Sequence, residues 1–186
     1  MPDAIAYIYV KRPASTSFDE LVKDFESCGL TLVNPASGRI TAISETGDQV
    51  EVSRNWLASK IGSAETVGFQ WWFDQSTDLY CRFRFTPDVL VEEYALDGLG
   101  EKLTSVKEVL IGRFRKLVRN NSARGLVLDT SGVTEGYDWD DFFLGRSNLA
   151  IELPDVLGIE RSDADRIEIE TNQLAVEQLE NGMLLI

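Results

Sequence analysis

Strict alternation marks the middle of the chain. In VGFQWWF, Val67, Phe69, Trp71 and Phe73 fall on one side; in LYCRFRF, Leu79, Cys81, Phe83 and Phe85 do the same. A period of two sends side chains to one face of a strand, so residues 66–85 predict a β-hairpin with the polar run 74–78 as its loop. The opposite face carries Trp72, Tyr80, Arg82 and Arg84. Since helical signals follow directly, that face is expected to lie under a helix, with a partner-contact surface as the alternative. Residues 4–10 are β-like, and ITAIS and QVEVS flank a Gly-bearing turn, a hairpin signal.

Helical spacing appears elsewhere. Phe18, Leu21, Val22, Phe25 and Leu30 predict a helix over 18–29, with Ser17 as its cap and Glu20 completing a capping box. Residues 54–61 read as a short helix ended by Gly62. Thr86-Pro87-Asp88 has the form of a helix start and predicts a helix over 87–97. Leu103, Val106, Leu110, Phe114 and Leu117 step by three and four, predicting a longer helix over 101–120. Arg113, Arg115, Lys116 and Arg119 crowd its last turns, where cations suit the helix dipole. Beyond it come a buried strand at 125–129, a strand around 148–152 and a mainly β-like tail. An Asn181-Gly182 turn punctuates that tail, and 171–180 is open between helix and strand. Hairpins outnumber βαβ units, so the expected fold is α+β: a predominantly antiparallel sheet covered by about three helices.

Charge sharpens this picture. The chain has 186 residues and a formal net charge of −13. Residues 1–128 carry 17 acids and 15 bases, and residues 129–186 carry 14 acids and three bases. No Pro- or Gly-rich linker separates the two parts, so 1–186 is read as a single domain with an acidic C-terminal region, 129–186. An acidic molecule repels phosphate, which argues against nucleic acid as a partner. No apolar run approaches membrane-spanning length. The opening MPDAIAYIYVKRP lacks the basic start and apolar length of a secretory signal, and Cys28 and Cys81 do not make a disulfide scaffold. A cytoplasmic location is expected. The absence of histidine excludes His-based triads, His zinc sites and imidazole acid–base pairs.

Several motifs suggest chemistry and fail on inspection. LVLDTSG places DxxG after an apolar run, but no GxxxxGK[ST] loop exists to hold phosphates. Its likeness to the DTG of aspartic proteases breaks at Ser131, and no second copy supplies the partner aspartate. Asp129 therefore reads as a strand-end acid capping the following turn. The carboxylates of Glu135, Asp138, Asp140 and Asp141 miss the EF-hand spacing, and adjacent Asp140 and Asp141 point apart on helix or strand. They fit the acidic start of a short helix near Asp138. No catalytic residue, metal ligand or cofactor is expected.

EGYDWDDFF, residues 135–143, also sets Tyr137 and Trp139 among these acids. Large aromatics anchor interfaces, and carboxylates around them suit a basic target. The expected partner-binding residues are Glu135, Tyr137, Asp138, Trp139, Asp140 and Asp141. The segment LVLDTSGVTEGYDWDDFF, with its acidic α/β surroundings, resembles small bacterial immunity proteins of toxin–immunity systems. That resemblance implies a cytoplasmic protein, without catalysis of its own, that neutralises a basic toxin or nuclease by covering its active site. Two other classes stay open: a carboxylate-dependent hydrolase, with or without magnesium, and a structural or assembly accessory protein.

Overall fold

The computed structural model describes residues 4–12, 18–44, 46–148, 152–167 and 175–186. Among these residues ten strands form one antiparallel sheet: β1 (Ile5–Lys11), β2 (Ile40–Ile43), β3 (Gln49–Val52), β4 (Val67–Trp72), β5 (Asp78–Phe85), β6 (Val89–Ala95), β7 (Ala123–Asp129), β8 (Val156–Glu160), β9 (Glu177–Gln178) and β10 (Met183–Leu185). Their spatial order is β3-β2-β4-β5-β6-β1-β7-β8-β10-β9. The helices are α1 (Phe18–Glu26), α2 (Arg54–Gly62), α3 (Leu103–Arg119), α4 (Trp139–Phe143) and α5 (Arg161–Ala164). The α+β expectation holds, as do both predicted hairpins. None of the described helices is long and apolar enough to cross a membrane.

One face of the sheet carries the larger core. Ala6, Ile8 and Val10 of β1 join Phe69 and Trp71 of β4 and Leu79, Cys81 and Phe83 of β5. Onto them pack Leu21, Val22 and Phe25 of α1, Leu57 of α2, and Val106, Leu110, Phe114 and Leu117 of α3. Burial of these side chains is the main stabilising term. A glycine makes one close approach possible: a Cβ at Gly158 would stand 2.5 Å from the Phe114 ring.

The other face holds a second core. Tyr9 of β1, Val89 and Val91 of β6, Val127 of β7 and Leu157 and Ile159 of β8 meet Trp139, Phe142 and Phe143 of α4. Phe143 lies directly on the β7 backbone at Gly125, where a Cβ would overlap its ring. Among the described residues this core takes nothing from β2, β4 or β5.

Residues 87–97 correct the sequence reading. They form β6, not a helix, with Pro87 and Asp88 in the tight turn after β5: Thr86 N–H donates to the Val89 carbonyl at 2.9 Å. Leu90, Glu92 and Tyr94 face the helices while Val89 and Val91 face the second core. An acid stands where strand periodicity calls for an apolar residue, and this hides the alternation. Glu92 is fully buried and pairs with Arg113 of α3, whose Nε donates to it at 2.7 Å. The helix expected to cover the Arg82 face is thus a strand beside it in the sheet.

The other differences are smaller. The 101–120 helix is α3, after a 3-10 turn at 100–102. Strand β8 occupies residues that carry no strand expectation. The tail supplies β9 and β10 around the Asn181-Gly182 turn, both with φ near +60 to +70 (56 and 73). The Ser17 cap, most of the strand expected at 148–152 and residues 171–174 of the ambiguous tail lie outside the described residues.

Candidate functional site

Strand alternation puts Ile5, Tyr7 and Tyr9 of β1 on the second face, and antiparallel register aligns charged neighbours beside them. Arg84 lies across from Val91, which lies across from Tyr9; Arg82, Glu93 and Tyr7 form the adjoining row. The segment after β7 then folds over this part of the sheet. Asp129 holds that segment: its carboxylate accepts from the backbone N–H groups of Ser131, Gly132 and Thr134 at 3.0, 2.9 and 2.8 Å. The hydroxyls of Ser131 and Thr134 add two further donors, at 3.1 and 2.7 Å. Asp129 is the turn cap that its position implies. Burial alone raises its pKa, but these donors outweigh it and leave the carboxyl below its ordinary range.

Asp138 caps α4, its Oδ1 accepting from the Asp141 N–H at 2.9 Å. One helical step later, Asp140 turns inward. Arg84 Nη1 and Nη2 donate to its two oxygens at 2.7 and 3.1 Å, and the Tyr9 hydroxyl donates to Oδ1 at 2.7 Å. Arg84 Nε is in turn held by Glu93. Burial favours the neutral acid, but the Arg84 and Tyr9 hydrogen bonds prevail and lower the Asp140 pKa. Burial, reinforced by the Asp140 charge, drives the Tyr9 hydroxyl well above its ordinary value. Asp141 points elsewhere, to Arg146 at 3.3 Å.

Together these elements enclose a cleft of about 310 Å³, lined by Tyr7, Tyr9, Arg84, Asp129, Glu135, Tyr137, Asp138, Trp139 and Asp140 among others. Five of the six expected partner-binding residues therefore converge, and Asp141 does not line the cleft. Glu135 and Asp138 are exposed, and Tyr137 is half-buried with its hydroxyl accepting from the Glu152 N–H at 3.3 Å. Trp139 departs from the sequence reading. It is 4% exposed, packed against Phe142 and Phe143, so its bulk belongs to the core rather than to a protruding anchor. Arg84, from the alternative contact face, and Tyr7 and Tyr9 complete the cleft. The two tyrosines carry no site expectation from the sequence; the alternation in AYIYV places them on one side of the strand.

The alternative contact face adjoins this cleft through Arg84. Arg82 is exposed, Tyr80 is half-buried and Trp72 is buried. Of the basic cluster on α3, Arg113, Arg115 and Lys116 each pair with acids: Glu92, Glu177 and Asp24. Both cysteines are free thiols, and burial raises the pKa of each. Among the described residues no group of three or more Cys, Asp or Glu side chains is placed to share a metal ion.

The acidic C-terminal region is partly neutralised in space. Asp140, Asp155, Glu160, Asp163 and Glu177 pair with Arg84, Lys107, Lys11, Arg124 and Arg115, all from the nearly neutral first part of the chain. Glu135 and Asp138, at the cleft, have no ion pair among the described residues. Chemically, the site offers fixed negative charge beside aromatic surface. Asp129 and Asp140 are already saturated by donors and held ionised. No known protein family, no curated protein and no solved structure matches this chain.

Proposed function

We propose that this protein is an inhibitory binding protein of the immunity type, which neutralises a basic protein partner through the face centred on residues 135–140. One observation carries the reading. After folding, Asp140, Asp141, Asp155, Glu160, Asp163 and Glu177 are held in internal ion pairs, whereas Glu135 and Asp138 are exposed, without an ion pair among the described residues, beside a cleft with Tyr7, Tyr137 and Trp139 in its walls. Such uncompensated charge steers a cationic partner and selects against anionic ones. A pre-formed loop, fixed by Asp129 and by Arg84–Asp140, loses little entropy on binding.

The test is co-expression with the product of the adjacent reading frame. A stable complex and relief of that product's toxicity are expected. The E135Q/D138N double variant should keep its unfolding midpoint and weaken the complex about tenfold or more, equivalent to roughly 1.4 kcal/mol. Absence of a complex, or an unchanged affinity in the double variant, overturns the reading.

A further inference from the structure

Resting on that reading, the geometry points to the cleft itself as the seat of one arginine side chain from the partner, its guanidinium lodged among the rings of Tyr7, Tyr137 and Trp139 and the carboxylates of Glu135 and Asp138. Charge comes first. Asp129, Glu135, Asp138 and Asp140 line the cleft against a single base, Arg84. That base is committed to Asp140 and Glu93. The five donors on Asp129 come from Ser131, Gly132 and Thr134 and are uncharged, so they stabilise its negative charge without cancelling it. The cleft is therefore a concave surface of net negative charge, and it selects a cation.

The walls define which cation. Aromatic faces attract a cation through the ring quadrupole, and a guanidinium adds planar stacking to that attraction. Its five donors reach separated carboxylates at once, which a compact ammonium does less well. Size agrees: about 310 Å³ is at the small end of ligand cavities, room for one long side chain rather than a large cofactor. The cation comes as part of the basic partner proposed above, so a peptide that bears the arginine is its minimal probe.

Titration of the full chain with acetyl-Gly-Arg-Gly-amide tests this, with the neutral citrulline isostere as control, read by calorimetry and by the Trp139 indole N–H resonance. Saturable binding is expected, weaker by about tenfold or more for citrulline and for the E135Q/D138N and Tyr137→Ala variants. Equal binding of the citrulline peptide, or undiminished arginine binding in E135Q/D138N, overturns the assignment. If the partner complex depends on Glu135 and Asp138 while the arginine peptide does not bind, the cleft assignment falls and the inhibitory function stands.

Discussion

Arg84 of β5 and Asp140 of α4, 56 residues apart, are joined by two hydrogen bonds of 2.7 and 3.1 Å. The pair fastens the acidic 130–140 segment to the sheet and sets the base of the cleft. It also shows what the charge asymmetry of the chain does structurally. Bases from the first part of the chain meet acids from the last part across β1, β7 and β8, so separation in sequence becomes attachment in space.

Asp140 should make stability depend on pH on the acid side. Its folded-state pKa is lowered, as are those of Asp129 and Asp155, where hydrogen bonds likewise outweigh burial. A carboxyl with a lowered folded pKa contributes fully above its unfolded value, about 3.9 for aspartate, and that contribution is lost as pH falls through the folded value. Urea unfolding should therefore show stability declining from about pH 5 towards pH 2. The decline should be shallower in Asp140→Asn, and an identical slope would remove Asp140 from the account.

Trp139 separates structure from recognition. Its ring lies 6.0 Å from that of Phe143, centroid to centroid, and 6.1 Å from that of Phe142, in the core between α4 and the sheet. Trp139→Ala should cost about 3–5 kcal/mol of unfolding free energy, the usual range for truncating a buried aromatic. A thermal or urea transition close to wild type would place the indole outside the core. Effects of this variant on partner binding are then read only after correction for the fraction folded.

How much of this was legible in the chain follows from how each side chain spends its polarity. The hairpins at 40–52 and 66–85 and the stripe of α3 are periodic and apolar, and they emerge as read. Asp129 was also legible, because a strand-end aspartate before Thr-Ser-Gly has local partners. Strand β6 was not, since Glu92 looks like a solvated residue until Arg113, 21 positions on, is seen to neutralise it. Trp139 conceals its burial for the related reason that flanking acids suggest a surface. Asp138 and Asp140 are polar at one edge of a helix whose other edge is core. The cleft needed the β1 register, which no local pattern displays.

The Glu92–Arg113 pair makes a sharp expectation about buried charge. Removing one partner leaves the other uncompensated in the core, so Glu92→Ala should cost about 3–5 kcal/mol. Replacing both, as E92M/R113M, removes the desolvation cost together with the attraction and should recover much of that loss. Chemical denaturation of the two single variants and the double variant gives the coupling directly. Additive losses would show that the pair acts through packing alone.

Gly125 and Phe143 should be coupled in a way that reaches the cleft. Any side chain at 125 overlaps the Phe143 ring, which also lies 4.3 Å from Tyr9, centroid to centroid. Gly125→Ala must push Phe143 off β7, at a cost of about 1–3 kcal/mol for overpacking. Since Phe143 stacks on Trp139 and touches Tyr9, the displacement should disturb two cleft walls at once and weaken binding beyond the loss of stability. Phe143→Leu alone should also destabilise, by creating space over Gly125. In the double variant G125A/F143L the added methyl occupies part of that space, so the combined loss should fall below the sum of the single losses by about 0.5 kcal/mol or more. Strict additivity in a double-mutant cycle would mean that the ring does not rest on the β7 backbone.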